Sequence, residues 1–303
     1  MKIKTFFSDK YEAATSTASM RKLKPVAKKV ESEGYAELIE PKYTEDSIIE
    51  KLKNLHSEDY VRAFDFGLEP LASRNGFSWN EDIRAGVLAI NAGMLNGAQA
   101  AMEEGIAANV AQGFHHSCFL GGGGFCTFNG LALVASENPN KKIFVLDCDE
   151  HGGNGTHDFI VNQKMDNLRQ ITINGTNFGV RTEDNKSVCV TLREITWDFS
   201  PYEEALEKGF EMIKDWEPDL VIYQAGADPH IDDPLGSLGM TTEQMAYRDK
   251  KVFKFMLENK VPVLFVLAGG YQEPIEELLV PLHANTFKEA KKVLDESLKL
   301  EYS

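Results

Sequence analysis

Short apolar runs alternate along the whole chain with longer segments whose apolar residues recur at helical spacing. This alternation predicts strands and helices in turn, which is typical of a largely parallel sheet. Six apolar runs predict buried strands: Ile3–Phe7, Ala107–Gln112, Lys141–Leu146, Leu168–Ile173, Asp219–Ala225 and Val261–Leu267. The chain has no internal repeat and no break in composition, so we expect residues 1–303 to form a single α/β domain. Its sheet is expected to be open and mostly parallel, with helices on both faces.

Segments of helical period between these strands predict the helices. They are Pro25–Glu33, Ser47–Leu55, Ile83–Glu104, a helix that begins within His157–Asn162, Tyr202–Trp216, Thr242–Asn259, a helix from Pro274 onward and a charged C-terminal helix from Phe287 to about Leu300. Two polar, glycine-containing stretches, Gly67–Trp79 and Asn174–Asn185, predict loops. The first carries Phe77 and Trp79, so we expect it to line a pocket.

Composition and charge limit the classes of function. The 303 residues are 43% hydrophobic, which is ample for a core, and the formal net charge is −15. A strongly acidic chain is a poor non-specific binder of nucleic acid or of an anionic membrane, and we expect neither as a partner. The charge suits a cationic substrate, although many cytosolic proteins are simply acidic.

The cysteines and the N-terminus indicate a reducing compartment. Cys118, Cys126, Cys148 and Cys189 form no C-x-x-C pair, so we expect reduced thiols rather than a disulfide framework. The N-terminus has no long apolar segment, and no run reaches the length of a membrane span. We therefore expect a cytoplasmic protein.

The stretch Asp147–Thr156 (DCDEHGGNGT) carries the clearest candidate chemistry. It follows a buried strand, and alternate residues of an extended segment share a face, so Asp147, Asp149 and His151 are expected to project together. Two carboxylates and an imidazole at one place call for a cation, and a divalent metal such as zinc suits these side chains. A strand end with acidic residues and a glycine turn is common, so this segment alone is weak evidence.

Polar or glycine-rich segments also follow three other predicted strands. They contain the adjacent histidines His115 and His116, the carboxylate Asp228, and Gly269-Gly270-Tyr271. Adjacent histidines in an extended segment point to opposite sides and need different partners. Ligands of open α/β sheets bind beyond the carboxyl ends of the strands. Four such segments at one edge therefore predict a shared site there.

Taken together, these motifs resemble the histone deacetylase family of zinc-dependent deacylases, from about Ile3 to Glu273. The resemblance rests on LHSEDYV (Leu55–Val61), GFHHS (Gly113–Ser117), GGGFCTFN (Gly122–Asn129), DCDEHGGNGT, AGAD (Ala225–Asp228), DPLG (Asp233–Gly236) and AGGY (Ala268–Tyr271). The form of the histidine–glycine segment looks closest to the class IV-like branch that also occurs in bacteria. The resemblance implies the arginase/deacetylase fold.

The resemblance implies a role for each matching residue. The zinc ligands would be Asp149, His151 and Asp228, and iron(II) would fit the same ligand set. His116 would be the general base and acid, and Tyr271 would donate to the oxyanion.

Supporting roles follow from the same resemblance. His115 would be held by Asp147, and Asn154 would accept a hydrogen bond from His116 without the charge of the aspartate in class I members. Gly124 and Phe125 would line an acyl-lysine tunnel, together with Phe178. Family members also bind a structural potassium, which here would involve Asp147, carbonyls of Asp149 and His151, and Thr172.

Two glycines distinguish this chain from related patterns. Gly152 stands where many family members have a second histidine, which leaves the ligand set intact. Gly153 stands where the two-manganese arginase-like enzymes of this fold class have a further carboxylate, so we expect one catalytic metal rather than two.

Two classes of function remain open from the sequence. The first is an enzyme that removes an acetyl or longer acyl group from lysine in proteins or peptides, or from an acylated polyamine. Polyamine-specific members tend to carry a long insertion that narrows the site and builds a dimer, and none is obvious here, so we expect a monomer acting on acyl-lysine. The second is a non-catalytic acyl-lysine-binding scaffold, which would need neither His116 nor Tyr271.

Overall fold

The computed structural model describes residues 1–13 and 17–301. Eight parallel strands form one sheet in the order β2-β1-β3-β8-β7-β4-β5-β6. The strands are β1 (Ile3–Phe6), β2 (Ala36–Ile39), β3 (Ile106–Asn109), β4 (Ile143–Asp147), β5 (Leu168–Asn174), β6 (Ser187–Thr191), β7 (Leu220–Gln224) and β8 (Val263–Val266). Every side chain of β4, β7 and β8 is buried, and alternate side chains of a strand face opposite sides, so both faces of the sheet are covered.

The helices that cover the sheet follow the strands in sequence. They are α1 (Ala18–Arg21), α2 (Leu23–Ser32), α3 (Glu45–Leu55), α4 (Glu58–Asp65), α5 (Glu81–Glu104), α6 (Gly130–Glu137), α7 (Asn154–Val161), α8 (Ser200–Trp216), α9 (Thr242–Glu258) and α10 (Val280–Glu301), with a 3₁₀ turn at Asp9–Tyr11 and a π-helical turn at Ile275–Leu279. The predicted class, a single α/β domain with a parallel sheet, is confirmed.

All six predicted strands are present, but the two edge strands were not predicted. β2 and β6 each contain polar or half-exposed residues, because an edge strand in this sheet is only partly covered. Their sequences therefore lack the continuous apolar run that marked the central strands. The prediction for β3 was too long, since that strand ends at Asn109 rather than Gln112.

Two helix predictions were wrong in their bounds. α7 begins at Asn154 instead of within His157–Asn162, because the N–H groups of Gly155 and Thr156 both donate to the carbonyl of His115. α10 is one continuous helix from Val280, so the two predicted C-terminal helices are a single element. The early start of α7 places Asn154 directly beside the histidine pair.

Candidate active site

The four polar strand ends converge because their strands are neighbours. β3, β8, β7 and β4 lie side by side and parallel, so the segments that follow them meet at one edge. The chain order is interrupted here, since β7 and β8 are inserted between β3 and β4. Such a switch in strand order opens a crevice at the carboxyl edge of a sheet.

Asp149, His151 and Asp228 face one another in this crevice. One ligand atom from each lies within 4.8 Å of the others, and theirs is the one such group among the described residues. His151 Nδ1 is 3.3 Å from Asp149 Oδ1 and 3.2 Å from Asp228 Oδ2. The remaining oxygens are engaged by backbone: Gly269 N donates to Asp149 Oδ2 at 2.7 Å, and Glu150 N donates to Asp228 Oδ1 at 3.1 Å.

The charges of this group call for a cation. Burial, with the charge of Asp149, raises the pKa of Asp228 to about 7. Burial opposes the charged form of His151, but its contacts with the two carboxylates outweigh burial and raise the pKa of His151 to about 11. The protein groups alone thus retain positive charge on His151 to balance the carboxylates. Two carboxylates and one imidazole fit a divalent metal well, and the metal would take over that balance.

The adjacent histidines have different partners and different protonation states. His115 Nδ1 lies 2.7 Å from Asp147 Oδ2, whereas His116 Nδ1 lies 2.6 Å from Asn154 Oδ1. Burial disfavours charge on His115, but the charges of Asp147 and Asp149 prevail and raise the pKa of His115 to about 9. Burial, with the charge of His115, lowers the pKa of His116 to about 3. His116 is therefore the neutral member, and its Nε2 is left as an acceptor because Nδ1 donates to the Asn154 oxygen.

The segment Ala268–Tyr271 is fastened beside these groups by backbone contacts. Gly269 O accepts from Ala227 N at 3.0 Å, and Tyr271 N donates to Asp233 Oδ2 at 2.8 Å. The fully buried Lys22 donates from Nζ to Ala268 O at 2.6 Å. A Cβ at Gly269 would overlap Asp228 Oδ2, so glycine is required for this approach to the ligand group. Burial raises the pKa of the Tyr271 phenol well above its usual value, which keeps the hydroxyl protonated as a donor.

A cavity of about 280 Å³ connects these groups with the surface. Its lining residues come from all four strand ends: Gln112, Phe114, His115, His116, Gly124, Phe125, Cys126, Asp149, Gln224, Ala268, Gly269 and Tyr271. Gly124 has φ +53°, and a Cβ there would lie 2.5 Å from His116 Cδ2, so a side chain would crowd the histidine.

Aromatic rings stand beside the cavity, and of those predicted to line it Phe125 does so, whereas Phe178 is not among the lining residues. Phe178 stacks on His116 with ring centroids 4.6 Å apart and meets His151 edge-on at 5.3 Å. Phe125 lies 6.0 Å from Tyr271 and 5.7 Å from Phe77. The loop Gly67–Trp79 therefore supports Phe125 through the buried Phe77, but none of its own residues lines this cavity.

Thr172 lies beside Asp147, the other side chain predicted to hold a structural potassium ion. It pairs in register with Asp147 across β4 and β5, and its Oγ1 accepts from Asn174 Nδ2 at 3.2 Å. The potassium site stays a prediction.

Arg248 was missed by the sequence reasoning. This fully buried residue donates from Nη1 to Cys148 O at 3.3 Å and to Gly226 O at 3.0 Å, next to the ligand carboxylates in sequence. One signal was available: Arg248 and Asp249 share the buried face of α9 with Met245 and Val252. A charged pair at positions of helical spacing among apolar residues indicates a buried ion pair.

Comparison with known proteins identifies the class to which this fold and candidate metal-binding group belong. Residues 16–286 match the family model described as "Histone deacetylase domain". The chain therefore belongs to the histone deacetylase family and is a deacetylase-type amidohydrolase; zinc dependence is typical of this family.

Individual relatives support this assignment. An uncharacterized protein of Picosynechococcus sp. is 33% identical over 238 residues, which cover 75% of this chain and 77% of the relative. "Histone deacetylase 2" of Arabidopsis thaliana is 27% identical over 299 residues, covering 90% and 75%.

Two solved structures share the fold. An acetylpolyamine aminohydrolase from Burkholderia pseudomallei matches with a TM-score of 0.77 and 17% identity over 97% of this chain and 99% of that chain. The HDA15 HD domain matches with a TM-score of 0.77 and 18% identity over 98% of this chain and 90% of that chain.

No helix in residues 1–13 and 17–301 is long and apolar enough to cross a membrane.

Proposed function

We propose that this protein hydrolyses the amide of an acyl-lysine in a protein or peptide, with acetyl as the preferred acyl group. The observation that carries the proposal is the histidine pair, one protonated and one neutral, beside the Asp149, His151 and Asp228 group. A protonated and a neutral imidazole in one cavity, with a tyrosine hydroxyl, are suited to proton transfer.

Asp149, His151 and Asp228 would hold the catalytic zinc. When bound, zinc would activate a water and polarise the substrate carbonyl, as Lewis-acid metals do in amide hydrolysis. Iron(II) is the alternative for this ligand set. The potassium ion would lie near Asp147 and Thr172, where carbonyl and hydroxyl oxygens are available.

The protein groups move the protons. His116 Nε2 takes the proton of the attacking water and delivers a proton to the departing lysine amine. His116 therefore ends each turnover in the neutral form in which it began. Asn154 holds the His116 ring in the tautomer that leaves Nε2 free. The Tyr271 hydroxyl donates to the carbonyl oxygen as that oxygen gains negative charge. His115, charged and paired with Asp147, adds a fixed positive charge nearby.

The cavity favours a short acyl group. Its volume of about 280 Å³ includes the space that opens to solvent. The part of it that the centre of a water molecule can occupy is about 20 Å³, far below the ~300 to ~1,000 Å³ typical of small-ligand sites. Gly124 and Phe125 line this small space, which fits an acetyl group better than octanoyl or myristoyl.

An acetylpolyamine is the second candidate, since the fold is shared with an acetylpolyamine aminohydrolase. That likeness spans 99% of the other chain, so the absence of an obvious insertion is no argument against polyamines. The cavity lining is what disfavours a polyamine, because its one carboxylate is Asp149, a candidate metal ligand. A substrate with several ammonium groups would find no carboxylate free to pair with them among these lining residues.

The test is turnover on a matched panel at one metal loading. The panel contains acetyl-, octanoyl- and myristoyl-lysine peptides together with acetylspermidine and acetylputrescine. His116→Ala, with its metal content measured, is the blank. We expect the acetyl peptide to be cleaved fastest and the blank to be inactive with metal still bound. Turnover of polyamines alone would make the protein a small-molecule amidohydrolase, and no turnover with bound metal would favour a binding scaffold.

A further inference from the structure

Large apolar side chains are exposed in loops at the carboxyl edge of the sheet, where the cavity also lies. Five of those exposed among the described residues lie in segments that follow β3, β5, β6 or β7 at the carboxyl edge of the sheet. We call them the apolar rim: Leu120 (64% exposed), Phe178 (48%), Trp197 (93%), Ile231 (51%) and Leu235 (48%). Grouped exposed apolar side chains are typical of interaction sites, whereas isolated ones are ordinary.

The rim is continuous with the proposed active site. The Phe178 ring is half exposed, and its inner face stacks on His116. Ile231 and Leu235 belong to the loop 229–240, in which Asp233 accepts the N–H of Tyr271 at 2.8 Å. The same surface therefore extends from the reacting groups to the outside.

The loop 229–240 is held in place beneath its exposed side chains. Ser237 Oγ donates to Glu150 Oε1 at 2.6 Å, and the N–H of Ile231 donates to Met240 O at 2.8 Å. Leu235 N donates to Asp233 Oδ1 at 2.9 Å. Because the loop is already ordered, a partner that contacts Ile231 and Leu235 would cost little further conformational entropy of the loop.

The loop that bears Trp197 is attached to this same segment. Ile195 N donates to Leu238 O at 2.8 Å, and Thr196 Oγ1 donates to Gly239 O at 2.7 Å. Trp197 thus follows directly on a segment that is hydrogen-bonded to the loop 229–240.

These observations point to one occupant, and this step rests on the proposed function. A lysine side chain reaches the cavity only when its own backbone crosses the mouth, so residues next to the acyl-lysine lie on the rim. We propose that the apolar rim binds an extended polypeptide segment in which apolar side chains flank the acyl-lysine. An apolar flank would cover Ile231 and Leu235, whereas a serine-flanked lysine or a polyamine would leave them in water.

The experiment compares three substrates that differ only in what the rim would contact. They are a capped acetyl-lysine amide without flanking residues, a peptide with leucine on both sides of acetyl-lysine, and the same peptide with serine instead. We expect wild-type kcat/KM to favour the leucine peptide over the serine peptide by about tenfold. In the double variant Ile231→Ser/Leu235→Ser, the leucine peptide should lose most of this advantage through a higher KM.

The controls separate the rim from folding and from the chemistry. The double variant should cleave the minimal amide within about twofold of wild type, because both side chains are half exposed and neither lines the cavity. The matched control Leu257→Ser changes a half-buried leucine at the end of α9, and it should leave the peptide preference unchanged. Sedimentation of both variants at assay concentration reports the oligomeric state.

Three outcomes would overturn the inference. Equal kcat/KM for both peptides with normal cleavage of the minimal amide would remove the rim's role while the proposed function stood. A change in oligomeric state without a change in KM would show that a second copy covers the rim. Failure to cleave any acyl-lysine substrate with metal bound would refute the proposed function, and the rim's assignment with it.

Discussion

Arg248 offers the sharpest test of how the ligand-bearing strand ends are held. Its side chain is fully buried and forms an ion pair from Nε to Asp249 Oδ1 at 2.9 Å. Its Nη1 donates to the carbonyls of Cys148 and Gly226, at the ends of β4 and β7. Replacing Arg248 by Met removes all three hydrogen bonds and leaves a carboxylate buried without its cation.

The magnitude follows from the partners that remain. Asp249 would still accept hydrogen bonds from Tyr223 Oη at 2.5 Å and from Thr286 Oγ1 at 2.6 Å. These two bonds would partly stabilise its buried charge. Removing one member of a buried ion pair typically costs ~3–5 kcal/mol. We expect Arg248→Met to lower the free energy of unfolding by about 3 to 4 kcal/mol. Arg248→Lys keeps the charge, but an ammonium group cannot make all the hydrogen bonds of the planar guanidinium. This variant should therefore lower the free energy of unfolding by about 2 kcal/mol.

The assay is urea unfolding followed by far-ultraviolet circular dichroism, with chelator present so that metal binding does not enter the equilibrium. Lys250→Met, on the exposed side of the same helix, is the matched control and should stay within about 0.5 kcal/mol of wild type. If Arg248→Met unfolds within about 1 kcal/mol of wild type at an unchanged m-value, the buried network does not stabilise this edge of the sheet.

Three further predictions concern the site and the loop beneath it. Tyr271→Phe should retain metal but lose about 10²–10³ in kcat, as measured by steady-state turnover and metal analysis, and near-normal turnover would remove the hydroxyl from the mechanism. Gly269→Ala should weaken zinc affinity by about 10–100-fold in a chelator competition, because its methyl group displaces a ligand carboxylate, whereas Gly123→Ala, which meets open space, should not. His56 accepts the N–H of Asn129 at Nε2 and donates from Nδ1 to a backbone carbonyl, so only its neutral form fits. Burial lowers the pKa of His56 to about 4 from 6.5, so the unfolded chain binds its proton first, and stability is lost as the pH falls from 6.5 to 4 by up to about 3 kcal/mol. His56→Asn should flatten that part of the pH dependence of unfolding, and an unchanged slope would contradict it.

The central part of the fold could be predicted because its strands are buried on both faces. β4 and β7 are continuous apolar runs, which is the pattern that full burial imposes. β2 and β6 lie at the edges, where side chains such as Glu37 are exposed, so their sequences resemble loops. Each pairs with one strand only, β2 with β1 and β6 with β5, so neither carries the continuous apolar run of a strand enclosed between two neighbours.

The same distinction applies within the site. Side chains that act through their own chemistry, such as Asp149 and His116, mark their positions by residue type and by their place at a strand end. Lys22 and Arg248 act on main-chain carbonyls, and a carbonyl has no sequence signature. Each is also remote in sequence from the segment it holds: 246 residues separate Lys22 from Ala268, and 100 separate Arg248 from Cys148. Because a buried cation is costly unless its hydrogen bonds are satisfied, a basic residue on an apolar helix face must have such partners. That requirement predicts that partners exist, while only the folded chain shows that they are the strand ends beside the candidate metal ligands.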